Sequence, residues 1–375
     1  MSLGGALAPP GPLARLFRRL RVWRDARLAD PAFQAWATRF PLTRPLSNAR
    51  GQALFDLVAG FTYTQTLLAC VQADLFERLR DGPKDFGTLG AETGLGPEAL
   101  ERLVDAAAAL DLLDFKGGEV ALGPLGAALL GAPGVVEMVR HHPLFYRDLE
   151  DPLALISGAN RDTELKRYWS YVGGRVGAEA AEYSRLMSAT QTMVAAETLA
   201  VEAFANARVL MDVGAGNGTF LSAALTRQPR LSGVAFDLPE VARGAARALE
   251  RFGDRVETIG GSFKDGLPTG ADAISLVRVL YDHDRPVVQN LLRAAYEALP
   301  PGGTILISEP MKGARKPSRS GDTYFALYTA AMTSGTPRRP QEHMRLLTEA
   351  GFASVRLRPA RQAFITRVVT ARKPL

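Results

Sequence analysis

Cysteine occurs once, at Cys70, so an intrachain disulfide is excluded and a reducing compartment, the cytoplasm, is expected. Cys70 lies in an apolar helical run and reads as core. Histidine occurs four times, too sparsely with one cysteine to build a zinc site, and no metal is expected. No G-x-x-x-x-G-K-[ST] run is present, which removes a phosphate-cradling P-loop. No apolar run is read as long enough to span a bilayer. The opening stretch, Met1 to Pro12, is small and apolar but has no basic leader before it, and a signal peptide is not expected.

What remains is a chain of 375 residues with room for two cores. Its apolar and charged fractions are those of an ordinary globular protein. The net charge of +6 is unevenly spread. Arg15, Arg18, Arg19, Arg21, Arg24, Arg27, Arg39, Arg44 and Arg50 face only Asp25 and Asp30, with Leu16, Phe17, Leu20, Val22 and Trp23 interleaved. This is a basic amphipathic helix. It suits either an anionic membrane surface or a solvated arm packed on a partner subunit.

The most informative segment runs from Val209 to Phe220. An apolar strand ends in Asp212, and Gly214, Gly216 and Gly218 alternate before a helix begins at Thr219. Glycines at this spacing let the backbone turn tightly and pass close to a nucleoside-like ligand. The form D-x-G-x-G-x-G differs from the G-x-G-x-x-G of dinucleotide binders. It resembles the nucleoside loop of class I S-adenosylmethionine (SAM) methyltransferases. About 20 residues on, a second apolar strand ends in Asp237-Leu238-Pro239. Asp237 can accept hydrogen bonds from both hydroxyls of a ribose, and can also cap the helix beginning at Pro239.

Strand and helix patterns then alternate. Val256–Ile259 is a third strand, closing in Gly260-Gly261-Ser262-Phe263, and Ala273–Leu280 is a fourth. A helix from about Pro286 to Leu299, a Pro-Pro-Gly-Gly turn and a fifth strand, Thr304–Glu309, follow. Such alternation implies a parallel sheet with helices on both faces, binding its ligand at the carboxyl ends of the strands. Asp212, Asp237, Ser262 and the run Arg278–Asp284 fall at those ends. After a helix at Gln341–Ala350, two strand patterns, Ala353–Leu357 and Ala363–Arg372, suggest an antiparallel pair at one edge. That addition fits the seven-stranded methyltransferase sheet better than a dehydrogenase.

The N-terminal half reads as helices at Phe55–Leu79, Phe86–Thr93 and Pro97–Leu113, then a hairpin at Phe115–Leu122 with a Gly-Gly turn. Three helices and a hairpin make a winged helix. Winged helices often read DNA, so a regulator is a second functional class. The third helix, however, offers Glu98, Glu101, Arg102 and Asp105, a net acidic face unsuited to base edges. Nucleic acid is therefore not an expected partner, and dimerisation is. The expected division is a basic arm at 1–50, a winged-helix dimerisation domain at 51–135, a helical bridge at 136–205 and the SAM-binding domain at 206–375. The bridge carries Phe145, Tyr146, Tyr168, Trp169, Tyr171, Tyr183, Met187 and Met193, which either wall a pocket or pack as core.

Winged helix, helical bridge and SAM domain in this order resemble the caffeate-type small-molecule O-methyltransferase family, from about residue 50 to the C-terminus. More narrowly, Phe40–Pro45, Ala53–Phe61, Leu276–Asp284, Ser308–Met311 and Asp322–Tyr328 resemble its carotenoid branch, which methylates a tertiary hydroxyl of acyclic carotenoids. The resemblance implies an α/β class I fold with a doubly wound seven-stranded sheet, SAM as cofactor, a homodimer and a hydrophobic substrate. Asp212, Gly214, Gly216, Gly218, Asp237, Leu238, Ser262, Phe263 and Arg278 are then the cofactor residues. Two departures stand out. The plant-type family has a base histidine in L-H-D-W, where this chain reads Leu280-Tyr281-Asp282-His283, so Tyr281 occupies the base position and His283 lies two residues on. The family also has an acidic residue where Ser262 stands, facing the adenosine.

For transfer to an alcohol, His283 is the candidate base, since a neutral imidazole accepts a proton near pH 7. The alternative is a polar residue near a helix start. Tyr281 can hydrogen-bond the substrate hydroxyl, and Glu309 can orient His283 or serve as a cap. A membrane-resident substrate would give the basic arm a purpose, on the inner or photosynthetic membrane. Other hydrophobic acceptors (phenolic, polyketide or bacteriochlorophyll precursors) and a non-catalytic SAM-binding regulator stay open.

Overall fold

The computed structural model describes residues 11–170 and 178–375. Met1 to Pro10 and Tyr171 lie outside the described residues, as do the side chains of Tyr183 and Met187. The chain divides into two compact units, the first ending at Ala69 and the second running Cys70–Leu375.

The first unit holds helices α1 (Pro12–Ala29) and α2 (Pro31–Arg39) and most of α3 (Arg44–Gln72). Proline at the first turn of α1 and α2 costs no hydrogen bond, and Asp30 caps α2 through the Ala32 N–H at 2.9 Å. On α1, Leu13, Leu16, Phe17 and Leu20 recur at helical spacing, and all are exposed. The expectation about bilayer-length segments needs correcting. α3 has 29 residues and is long and apolar enough to cross a membrane by length and composition, and only 17% of its most apolar stretch is buried. Leu57 is 80% exposed and Phe61 70%. The boundary expected at residue 50 falls inside α3, which runs unbroken through Gly51.

The second unit begins with the end of α3 and a short helix, Leu75–Arg78, and then holds a small sheet of β1 (Lys84–Asp85), β2 (Leu113–Lys116) and β3 (Glu119–Leu122), in order β1-β3-β2. Gly117 and Gly118, both at positive φ, turn the β2–β3 hairpin. The helices Phe86–Thr93 and Pro97–Ala108 pack beside it, so the expected helix–hairpin unit is present. The second of these helices is shorter than expected, because Asp111 takes positive φ and Leu113 already belongs to β2. Glu98, Glu101, Arg102 and Asp105 are exposed on it, as an acidic face requires.

Seven strands form the main sheet: β4 (Val209–Val213), β5 (Ser232–Asp237), β6 (Val256–Gly260), β7 (Ala273–Val277), β8 (Thr304–Glu309), β9 (Ala353–Leu357) and β10 (Arg367–Arg372). The order is β6-β5-β4-β7-β8-β10-β9, parallel except at β10 and β9. β7 is buried at every position, as a central parallel strand must be. The order reverses between β4 and β7, which places the switch point at Val213 and Val277.

Candidate active site

The glycine loop leaves β4 at that switch point. Gly214, Gly216 and Gly218 all sit at positive φ, which glycine alone adopts without strain. A Cβ on Gly214 would meet Val279 at 2.7 Å and one on Gly218 would meet Leu249 at 2.8 Å, whereas Gly216 opens on free space. Asp237 holds the loop from the next strand. Its Oδ2 accepts the Gly216 N–H at 2.8 Å, and its Oδ1 accepts the Leu238 N–H at 2.7 Å. Burial raises its carboxyl above the ordinary range, partly offset by those two N–H donors. Asp212 is fully buried, and register places it opposite Ser275, whose hydroxyl donates to Oδ1 at 2.6 Å. Burial pushes Asp212 up to about 7, against the pull of that hydroxyl. Leu238 is exposed, and Ser262 and Phe263 are half-buried beyond the end of β6.

A second space lies past β7 and β8. It is a cavity of about 260 Å³ walled mostly by apolar and aromatic groups, among them Val135, Met138, Met193, Phe325 and Ile365. His141, Thr190, Arg278, Tyr281, Tyr324 and Tyr328 bring polar atoms to it. Tyr328 Oη bonds His141 Nε2 at 2.8 Å and accepts from Trp169 Nε1 at 3.1 Å, and Tyr324 Oη meets His142 Nε2 at 2.9 Å. The bridge thus forms one wall and the helix Phe325–Met332 another.

Arg278, expected among the cofactor residues, lines this cavity. It holds φ +59°, an uncommon conformation for a side chain with a Cβ, and donates from Nη1 to Thr190 Oγ1 at 2.9 Å. Tyr281 is buried against the same space and interacts with Arg278 and Asp282. His283 is half-buried and does not line the cavity. Its ring packs edge-on against Phe263 at 5.3 Å, and burial lowers its pKa.

The expected Glu309–His283 contact is not formed. Glu309 is fully buried, and its Oε2 accepts the N–H groups of Leu280 at 2.9 Å and Tyr281 at 3.1 Å. Its Oε1 lies 3.0 Å from Nε2 of buried His343. Through Oε2 the carboxylate anchors the Leu280–Tyr281 backbone, and the imidazole nearest its other oxygen is that of His343, not His283. Arg338, only 2% exposed, secures the same loop from its carbonyls, donating to Leu280 O and His283 O at 2.7 Å each. Gly335 lies against this loop, where a Cβ would meet Tyr281 O at 2.1 Å. Arg338, His343 and His141 carried no sequence signal, because their partners lie far away in the chain or are backbone atoms.

Residues 164–353 match an O-methyltransferase domain. The chain is 42% identical, over 98% of both chains, to the demethylspheroidene O-methyltransferase of Cereibacter sphaeroides. The chain belongs to the O-methyltransferase family. It is also 43% identical to the demethylspheroidene O-methyltransferase of Rhodobacter capsulatus, over 89% of this chain and 85% of that one. Among solved structures, LaPhzM is 26% identical and superposes with a TM-score of 0.72, over 87% of this chain and 99% of that one. The methyltransferase therefore uses SAM, and its glycine loop fits that cofactor. Open space at Gly216 lets a ligand come close to the backbone, and a carboxylate is fixed beside it at the end of β5.

Proposed function

We propose that this methyltransferase transfers a methyl group to the tertiary hydroxyl of an acyclic hydroxycarotenoid. The observation that carries the reading is the aromatic, apolar cavity with Arg278 and Tyr281 in its wall. Whole-chain similarity to two demethylspheroidene O-methyltransferases supports the same substrate class. At about 260 Å³ the cavity is below the roughly 300 Å³ at which drug-sized pockets begin. It therefore takes the hydroxylated end of a long polyene and leaves the rest outside.

Asp237 would hold the ribose, the glycine loop and Leu238 the nucleoside, and Ser262 and Phe263 the base. When bound, SAM supplies a methyl group on a strongly electrophilic sulfonium, so much of the catalysis is positioning. Tyr281 meets the substrate hydroxyl. Glu309 and Arg338 keep its backbone in place, and the apolar walls exclude water. The direct test is incubation with methyl-labelled SAM and extracted acyclic hydroxycarotenoids. Label is expected in the carotenoid fraction, and its absence there, with label on a phenolic acceptor instead, overturns the substrate assignment.

Two partner surfaces belong to this reading. The exposed apolar side of α3, including Leu57 and Phe61, is covered by a second copy of the chain, and light scattering is expected to return a dimer mass. The basic face of α1 docks on anionic lipid. Each arginine near such a surface contributes about 1 kcal/mol, screened by salt. The protein is expected to pellet with anionic vesicles and release at high ionic strength. Replacing Arg18, Arg19 and Arg21 by Gln is expected to weaken pelleting by roughly two orders of magnitude. Equal pelleting by that variant contradicts docking through α1.

A further inference from the structure

Asp282 has no role in the chemistry so far, yet it sits beside it. Its Oδ1 is buried and carries no hydrogen-bond partner among the described residues. Asp282 follows Tyr281 directly in the short turn Leu280–Asp282, and its carboxyl feels both the Tyr281 hydroxyl and the Arg278 guanidinium. Tyr281 in turn lines the cavity, and Asp282 does not. A buried carboxylate oxygen with no donor is costly to keep, and a site that must receive a proton gives it a use.

We propose that Asp282 is the proton acceptor of the reaction, reached through the Tyr281 hydroxyl. The inference rests on the assignment of the cavity as the acceptor site. As the substrate oxygen forms its bond to the methyl carbon, the carbon–sulfur bond breaks and its electron pair stays on sulfur. The substrate O–H bond breaks with it. That proton passes to Tyr281 Oη, and the proton Tyr281 held passes to Asp282, so Tyr281 ends neutral and Asp282 ends as the acid. An aliphatic alcohol resists early deprotonation, but its oxygen becomes strongly acidic once the new bond forms. A carboxylate is then base enough.

The surroundings of Asp282 suit the task. Burial pushes its carboxyl up to about 7, with Arg278 pulling down and Glu309 pushing up. Burial also raises Tyr281, with Asp282 adding to the rise and Arg278 opposing it, so the phenol stays protonated and can relay rather than store charge. The other groups facing this pair are accounted for. Glu309 Oε2 is bound to backbone N–H groups and its Oε1 faces the buried His343 imidazole, away from the cavity lining; His141 Nε2 is bound to Tyr328, and His283 lies beside Phe263.

The sign of the pH dependence follows. Asp282 must be ionised to accept, so kcat is expected to rise as pH passes upward through about 7 and to be lost below it. Asp282→Asn is expected to lower kcat by about 10²–10⁴-fold and abolish that limb, with SAM affinity by calorimetry unchanged. Asp282→Glu is expected to keep a limb and recover part of the rate. A readout independent of turnover is the infrared carbonyl band of a protonated carboxylic acid, titrated without substrate. Asp212 titrates in the same range, so the band assigned to Asp282 is the one missing in Asp282→Asn. If Asp282→Asn keeps the wild-type pH limb, or if Asn and Glu lose activity equally, the proton does not go to Asp282. In that case Tyr281→Phe still loses turnover and the cavity assignment stands. Wild-type activity in both Tyr281→Phe and Asp282→Asn overturns both.

Discussion

Tyr281→Phe is expected to reduce kcat by about 10²–10⁴-fold, the range for removing a group that handles a proton in the transition state. SAM affinity is expected to stay unchanged, because Tyr281 lines the apolar cavity and not the glycine loop. The substitution removes one oxygen from a buried side chain and keeps the ring, including its edge contact with Phe325 at 6.2 Å. Glu309 and Arg338 continue to fix the backbone at Tyr281 and its neighbours. A loss of turnover therefore reports the hydroxyl. His283→Ala is the comparison. His283 packs against Phe263 outside the cavity, so its removal is expected to fall on cofactor affinity more than on kcat. If His283→Ala shows the larger kcat loss and Tyr281→Phe little, the proton-handling role belongs to His283.

Asp237→Ala is expected to weaken SAM binding by about 10²–10⁴-fold. A hydrogen bond to a charged acceptor contributes roughly 1.5–3 kcal/mol, and two ribose hydroxyls are in play. The same carboxylate holds the Gly216 and Leu238 N–H groups, so its removal also loosens the loop. Calorimetric titration with SAM measures the sum, and unchanged affinity removes Asp237 from the ribose. The ionised carboxylate is the acceptor, and burial raises its pKa. Affinity is thus expected to fall, as pH is lowered, sooner than for an ordinary aspartate. Asp237→Asn, which keeps an acceptor but not the charge, is expected to lie between.

How much of this was readable in the sequence depended on range. Gly214, Gly216 and Gly218 are a local pattern, and a left-handed backbone is a local property. The loop, the strand before it and the carboxylate after β5 were therefore legible. So was the antiparallel pair at the sheet edge, since two strand patterns with a short link leave little other arrangement. The start of α3 was not legible, because Pro45 and Gly51 read as breaks, whereas Pro45 sits in the first turn, where its missing N–H costs nothing, and the helix runs on through Gly51. The cavity was harder still. Its wall joins His141 to Tyr328 and Trp169 to Tyr328 across more than a hundred residues, and no spacing rule spans that. Glu309 stands at a strand end, where a role is legible but its partner is not. Its partners are backbone N–H groups, which leave no trace in side-chain identity. Arg338 anchors the loop the same way, through the carbonyls of Leu280 and His283.

The measurement that bears most directly on the substrate is a side-by-side determination of kcat/KM for a purified acyclic carotenoid with a tertiary hydroxyl and for a soluble phenol, each read by mass. The expected result is one added methyl group on the carotenoid oxygen, with kcat/KM well above that for the phenol and lost in Tyr281→Phe. Methylation of the phenol with none of the carotenoid, in the presence of vesicles that present it, contradicts the assignment.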